Sequence, residues 1–308
     1  MKHLFLLVIL VSFINCNPLS GQVEESITLS KDFKKYWYGG EAELNRYELE
    51  QQRYGEVHTG EAVLIFVTED FLSDKQVKFE GGKRNDTVEP IIKLNFTKKF
   101  FTGLYPYSLM SSIFTPVDHK KQTFKVSTSS QEWCGHTFTQ LNLKKGNYEG
   151  KLFSYFMNEG DQNFKLNNAL LEDEIWNKIR LEPSSLPLGK IKIIPGTLFL
   201  RLKHKEYQIE EANASLTTSS DDASNKRLKT YKVEYTSLNR VLEITFEESF
   251  PHRIVSWSEK YKSGLGGNSK EVSTVATLTH QIKSDYWSKN SNLDKSLREK
   301  LGLNMSNY

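Results

Sequence analysis

The chain has 308 residues, with 41 lysines and arginines against 38 aspartates and glutamates, so its net charge is only +3. This near balance excludes the large positive excess that is expected of a nucleic-acid-binding protein. Hydrophobic residues make up 38% and aromatic residues 12%, enough for a folded core, and two cysteines are too few for a disulfide-rich scaffold.

The beginning of the chain predicts an exported protein. An apolar run that ends at Ile14 follows a basic start, is too short to span a bilayer, and predicts a signal peptide over residues 1–15. Cys16 directly after this run predicts a lipid-modified cysteine, with residues 16–30 as a polar tether. The protein would then lie at the periplasmic face of a membrane, the outer membrane being favoured. Cleavage between Cys16 and Gly21 is the alternative, and it would release a soluble periplasmic protein.

Residues 31–308 predict a single domain that is mainly β. Short segments with alternating apolar and polar residues are separated by a few turn-forming residues, which is typical of antiparallel neighbours. Predicted strands include Ala62–Val67, Glu132–Leu143 and Thr197–His204. We expect one large curved antiparallel sheet, half-barrel or barrel-like, with a two-sheet sandwich as the alternative. Two β halves could meet near residues 183–189, where prolines and a glycine cluster.

One segment breaks the strand pattern. Asn168–Arg180 places its apolar residues on one helical face, and either Asn167 or Asn168 could cap its first turn. We expect this central helix to cover the concave face of the sheet. Short helices are predicted near both termini, over Lys31–Tyr38 and Asn292–Leu301.

The segment QEWCGH is the most unusual cluster of polar and aromatic residues. On a regular strand Glu132, Cys134 and His136 share one face, and a thiol beside an imidazole suggests the nucleophile and base of a hydrolase. Residues two apart on a strand are separated by roughly 6.5 to 7 Å, which is beyond hydrogen-bond reach, so a bulge at Gly135 would be needed. The alternative is that Cys134 is a small buried hydrophobe and Trp133 fills the opposite face. We therefore assign the cluster no catalytic role and retain it as a candidate functional site.

Two aromatic-rich stretches are candidate contact surfaces. They contain Trp37 and Tyr38 in the first and Tyr105 and Tyr107 in the second, each with charged residues nearby. Aromatic side chains beside charged ones suit a protein interface or the rim of an apolar cavity. The alternative is that they close the ends of the sheet as core residues.

The sequence indicates neither a metal nor a cofactor. The seven histidines include no pair at the spacing that builds a metal site on one helix or one strand. The glycine-rich stretch 263–270 lies between two predicted strands, so we expect a hairpin turn there and not a phosphate-binding loop, which requires a following helix.

Much of the chain, from about residue 33 to residue 303, resembles a family of small exported proteins of Gram-negative bacteria. The similar stretches are Tyr36–Glu43, Arg53–Glu56, Gly60–Glu69, Gln131–His136, Asn239–Arg240, Tyr286–Trp287 and Lys289–Ser291. Many members are lipoproteins, and the name "septum formation inhibitor Maf" is often given to them. The Ser-x-Ser-x-Arg-Arg-type motif of the Maf nucleotide pyrophosphatases does not occur here, so the resemblance implies an exported lipoprotein and no catalytic residue.

The sequence therefore predicts a noncatalytic cell-envelope lipoprotein that binds an apolar ligand or a partner protein. The alternatives are a structural or scaffolding lipoprotein and, less favoured, a hydrolase that uses Glu132, Cys134 and His136. An open concavity lined by aromatic residues would favour the apolar ligand, whereas a fully packed interior would favour the partner protein.

Overall fold

The computed structural model describes residues 29–221, 225–263 and 270–303, and it confirms a mainly β fold with one large curved antiparallel sheet. The predicted signal peptide, Cys16 and all but the end of the tether lie outside the described residues, as does most of the glycine-rich stretch 263–270. None of the helices in these ranges combines the length and the apolarity that a membrane span requires.

Sixteen strands form the sheet in the described part of the chain. They are β1 (Ala42–Arg53), β2 (Glu56–Leu72), β3 (Val77–Lys78), β4 (Val88–Thr102), β5 (Tyr105–Pro116), β6 (Lys125–Glu132), β7 (Gly135–Lys144), β8 (Asn147–Ser154), β9 (Gln162–Leu166), β10 (Leu170–Leu171), β11 (Gly189–Ile194), β12 (Glu210–Asp221), β13 (Lys226–Tyr235), β14 (Arg240–Glu247), β15 (Ile254–Ser263) and β16 (Lys270–Ser284). Their order is β10-β11-β12-β13-β14-β15-β16-β1-β2-β4-β5-β6-β7-β8-β9, and β3 pairs with β2 beside this path. Neighbours run antiparallel, except that β10 and β11 are parallel.

The α-helices described are α1 (Lys31–Trp37), α2 (Glu172–Leu181), α3 (Thr197–Lys203) and α4 (Ser296–Lys300). The predicted first helix is confirmed, and the Ser30 side chain caps it by accepting a hydrogen bond from the Phe33 amide at 3.1 Å. The central helix begins later than predicted because Leu170 and Leu171 pair with β11 as strand β10. Neither Asn167 nor Asn168 therefore caps it.

The prediction of a strand over Thr197–His204 is wrong, because this segment forms helix α3. Its apolar side chains are buried on every face of the helix. The spacing of apolar residues in the sequence therefore does not distinguish a helix from a strand. The residue at its N-cap is Gly196, which has no side chain to mark a helix start. Asp173 of α2 supplies the cap instead, and its carboxylate accepts hydrogen bonds from the Thr197 amide at 3.0 Å and the Thr197 hydroxyl at 2.8 Å.

The sheet curls until its two edges are close together. The outermost strands β9 and β10 are separated in sequence only by residues 167–169, which can bridge at most about 15 Å. A flat sheet with fifteen strands across would hold these edges about 65 Å apart. The chain connection therefore requires strong curvature, and the sheet remains open because β9 and β10 do not pair.

Helix α2 occupies the concave side of the sheet. Nine of its ten residues are buried. Trp176 packs edge-on against Phe96 of β4 and Trp257 of β15, with ring centroids 5.0 and 5.3 Å apart. Aromatic and aliphatic side chains from both halves of the sheet thus meet around one helix to form a common core.

Buried ion pairs fix α2 to the sheet near both of its ends. Arg180 makes a bidentate pair with Glu43 of β1, at 2.5 and 2.7 Å. In the first turn of the helix, Glu172 accepts a hydrogen bond from Arg240 Nη2 at 2.6 Å, and Arg240 Nε binds Glu259 at 2.7 Å. Because these five residues are buried, the pairs fix the direction and depth of the helix within the sheet.

The first and last strands described lie side by side within the sheet. β1 pairs with β2 on one side and with β16 on the other. Helix α1 lies where β1 begins, and the Thr68 hydroxyl of β2 donates a hydrogen bond to the Trp37 carbonyl there. We call this side of the sheet the α1 end. The turns β1–β2, β4–β5, β6–β7 and β8–β9 all lie at the opposite side, which we call the tip end.

Candidate functional site

The QEWCGH segment forms a hairpin turn at the tip end. β6 ends at Glu132, β7 begins at Gly135, and the two residues between them, Trp133 and Cys134, make the turn. The predicted strand Glu132–Leu143 is therefore wrong at its start. The two central positions of this turn hold none of the glycine, proline or asparagine residues that usually signal a turn, so the sequence pattern concealed it.

The structure does not bring the candidate nucleophile and base together. Glu132 Oε2 accepts a hydrogen bond from the Cys134 amide at 2.6 Å, and the Cys134 side chain is exposed and not buried as the alternative interpretation expected. His136 is exposed on β7, where its cross-strand partner is Gln131. In the part of the chain that the structure describes, no hydrogen bond joins the thiol to the imidazole.

The four predicted contact aromatics divide between the two ends of the molecule. Trp37 and Tyr38 lie at the α1 end, where Trp37 is buried and its ring lies 5.1 Å from the Arg180 guanidinium. Tyr38 is exposed. Tyr105 and Tyr107 lie at the tip end, where Tyr107 is buried and Tyr105 is half-buried. Trp37 and Tyr107 thus serve as core residues, as the alternative interpretation held.

A cluster of one arginine and three tyrosines lies beneath the turns of the tip end. The hydroxyls of Tyr54 and Tyr107 are 2.8 Å apart, and Tyr105 donates to Tyr54 at 3.1 Å. Arg53 Nη2 donates to the Tyr107 hydroxyl at 3.2 Å, and Nη1 donates to the Leu202 carbonyl in the last turn of α3. The partners of this guanidinium are neutral, so the cluster carries a positive charge.

The electrostatic environment shifts the pKa values of two of these tyrosines in opposite directions. Burial raises the pKa of Tyr107. Burial alone would also raise the pKa of Tyr54, but hydrogen bonds from Tyr105 and Tyr107 and the nearby charge of Arg53 outweigh it, and the pKa of Tyr54 is lowered. Tyr54, which is half exposed, therefore places its hydroxyl beside the Arg53 cation.

Large apolar side chains project into solvent from the four turns of the tip end. We call them the apolar tip surface, which consists of Tyr54 (49% exposed), Leu104 (81%), Trp133 (70%), Tyr155 (77%) and Met157 (93%). Tyr105 connects two of these turns, because its ring stacks on that of Trp133 at 6.4 Å. Exposed apolar groups that gather at one place usually mark an interaction surface, and tyrosine, tryptophan and methionine are enriched at protein interfaces.

Glycine at position 135 allows the β6–β7 and β8–β9 turns to pack closely. A Cβ atom at Gly135 would lie 2.8 Å from the Phe156 ring and 3.4 Å from the Tyr155 ring. The glycine that the sequence analysis considered as a bulge therefore has a packing role. It allows the Trp133 turn to pack against the turn that carries Tyr155 and Met157.

The sequence analysis selected Trp133 but missed Tyr54, Leu104, Tyr155 and Met157. The available signal was their position, since each is a large apolar residue in or beside a connection between strands, where polar residues are usual. Their convergence could not be predicted, because it depends on which ends of the strands meet in the folded sheet.

A cleft of about 550 Å³ lies beside the apolar tip surface, between the β8–β9 connection and the end of α3. Phe156, Met157 and Tyr207 contribute apolar walls, and Glu159 lies within the cleft. The Glu159 carboxylate is 3.0 Å from Arg201 Nη1 and 3.0 Å from His204 Nδ1. The Glu159 carboxylate is therefore paired within the protein, whereas Glu206, which also lines the cleft, is exposed.

Within residues 29–221, 225–263 and 270–303, no three histidine, cysteine, aspartate or glutamate side chains converge as metal ligands would. The candidate site is instead an apolar surface beside an arginine–tyrosine cluster, at the end of the sheet opposite α1. No protein-family model, curated protein or solved structure matches this chain.

Proposed function

We propose that the protein is a noncatalytic binding protein of the cell envelope, attached through Cys16 to the periplasmic face of a membrane, and that the apolar tip surface binds a partner protein. The observation that carries this proposal is the exposure of five large apolar side chains from four turns at one end of the sheet. Burying a side chain such as Trp133 or Leu104 in an interface contributes about 1.5 to 3 kcal/mol.

The packed interior supports a partner protein over an apolar ligand. α2 fills the concave side of the sheet, and its side chains, Trp176 among them, contact both halves of the sheet. An acyl chain bound there would have to displace this helix together with its ion pairs to Glu43 and Arg240. The exposed apolar area lies instead at the rim, where a protein surface can cover it.

The position of α1 also supports a partner located away from the membrane. The chain enters the sheet at the α1 end, and β1 separates this end from the tip end by twelve residues, about 40 Å. Thirteen residues lie between Cys16 and Ser30, and they span at most about 47 Å. With a lipid on Cys16, the α1 end is tethered to the bilayer and the tip end can point into the periplasm.

The interface is tested by cross-linking in intact cell envelopes. We expect the native protein to give a reproducible cross-linked partner. In the double variant Trp133→Ser, Leu104→Ser the yield of this cross-linked product should fall at least about tenfold, because two exposed apolar contacts are removed without disturbing the core. Leu293→Ser is the matched control, since Leu293 is 91% exposed outside the tip end. Equal cross-linking by the double variant and the control would refute the proposed interface.

The location is tested by fractionation and metabolic labelling with palmitate. We expect the native protein to incorporate label and to sediment with membranes, and Cys16→Ser to lose both properties, because the acyl chains attach through that sulfur. Recovery of the unprocessed protein in the cytosol, with residues 1–15 still present, would overturn the envelope assignment.

A further inference from the structure

Three cationic side chains lie together beside the apolar tip surface. Arg53 donates to the Leu202 carbonyl, which places its guanidinium against the last turn of α3, and Lys203 and Lys205 follow in that turn and just beyond it. We call Arg53, Lys203 and Lys205 the cation cluster. None of the three forms an ion pair with a carboxylate in the described residues.

The carboxylates near the cation cluster form no ion pair with it. Glu132 is engaged by the Cys134 amide, and Glu159 is paired with Arg201 and His204. Glu56, which faces Arg53 across the β1–β2 hairpin, and Glu206, which follows Lys205, are both exposed. Neither forms an ion pair with the cluster.

Neighbouring residues hold the Lys203 side chain in place. Lys203 Nζ donates to the Lys262 carbonyl at 3.1 Å and lies 5.2 Å from the Tyr261 ring. Partial burial, together with the charges of Arg53 and Lys205, lowers the pKa of Lys203, as expected where like charges lack a counter-ion. An added carboxylate would relieve this repulsion without reorganising the lysine.

The cation cluster is continuous with the apolar tip surface. The Arg53 guanidinium lies 4.5 Å from the ring centroid of Tyr54, a member of that surface, and Arg53 Nη2 lies 3.4 Å from the Tyr54 hydroxyl. A ligand that covers Tyr54 therefore meets positive charge at its edge. Opposite charges at the rim of an apolar contact steer association and set its orientation.

We propose that the cation cluster binds an acidic segment of the partner protein, in which aspartate or glutamate carboxylates contact Arg53, Lys203 and Lys205 while neighbouring apolar residues cover the apolar tip surface. This inference rests on the proposed function and adds the chemical class of the partner. It favours a protein segment over lipid headgroups, because the tip end lies opposite the end at which the chain is tethered.

Fluorescence anisotropy with labelled hexaglutamate, and hexaglutamine as the neutral probe, tests this site on the purified mature protein. We expect hexaglutamate to bind and the double variant Lys203→Gln, Lys205→Gln to weaken binding at least about fivefold, because two charge contacts are lost. The matched control Lys34→Gln, Lys35→Gln removes two exposed lysines of α1 at the opposite end and should change binding less than about twofold. Equal weakening by both variants, or by neither, would overturn the proposal.

Two further measurements separate this inference from its alternatives. Sedimentation with phosphatidylglycerol vesicles, compared with phosphatidylcholine vesicles, should not depend on Lys203 and Lys205. A selective loss in the lysine variant would assign the cluster to lipid headgroups and overturn the acidic partner. If the native cross-link depends on Trp133 and Leu104 but not on the lysine pair, the proposed function stands and the acidic partner fails.

Discussion

The Glu43 carboxylate and the Arg180 guanidinium are both fully buried, and each is the counter-charge of the other. Desolvation opposes the charge on Glu43, but the attraction of Arg180 and its hydrogen bonds exceed that effect and lower the pKa of Glu43. Arg180 also lies 4.8 Å from the Phe66 ring and donates to the Pro251 carbonyl at 2.9 Å. The pair therefore joins α2 to β1 and to the turn before β15.

Replacing Glu43 with glutamine tests the importance of this pair. The substitution leaves the Arg180 charge buried without a counter-charge, so we expect the free energy of unfolding to fall by about 3 to 5 kcal/mol. Urea denaturation measures this loss. Glu48→Gln is the control, because Glu48 pairs with Arg46 at the surface and its side chain is 71% exposed, so its effect should stay within about 0.5 kcal/mol. Equal effects of the two substitutions would contradict this account.

Among the elements, α2 and α3 illustrate how one helix can define the start of another. Asp173 in the first turn of α2 caps α3 through Thr197, and the Thr197 hydroxyl continues to that of Thr128 on β6 at 2.6 Å. Burial raises the pKa of Asp173 to about 7, although its hydrogen bonds to Thr197 oppose the rise. The junction between the two helices is therefore sensitive to pH near neutrality.

The sign of this pH dependence follows from the raised pKa. In the unfolded chain the pKa of Asp173 is about 3.9, so the folded state binds more protons between that pH and about pH 7. The contribution of Asp173 to stability is therefore fully present below pH 4 and is lost as the pH rises toward 7. We therefore compare the free energy of unfolding of the Asp173→Asn variant with that of the native protein. The variant's value minus the native value should increase by about 2 kcal/mol between pH 5 and pH 7. Urea denaturation at both values checks this, and an unchanged difference would show that Asp173 is ionised at both.

At the scale of the whole molecule, the sequence predicted the class of fold but not the arrangement of the functional surface. Alternating apolar residues and short connections predicted the antiparallel sheet, and the apolar face of the central helix predicted that it lies within the sheet. The segments Thr197–His204 and Glu132–Leu143 were assigned incorrectly because the information that decides them is not local. A carboxylate from α2 caps the start of one helix, and the neighbouring β8–β9 turn packs against Gly135 beside the hairpin at Trp133 and Cys134.

The candidate site shows the same division between local and long-range information. Trp133 was selected because its segment has an unusual composition. Arg53, Lys203 and Lys205 have ordinary surroundings in the sequence, and their importance comes from a contact between β1 and the end of α3, which are about 150 residues apart. The fold determines which charges remain unpaired, and no short sequence motif predicts them.

The pairing of β1 with β16 has a consequence for biogenesis. The ladder between them joins residues more than two hundred positions apart, so this pairing must close a long loop and is expected to form slowly. A nascent chain cannot complete the centre of its sheet before its final strand is available. Under the proposed export to the cell envelope, such a polypeptide would cross the membrane before this pairing forms and would acquire its native shape only afterwards.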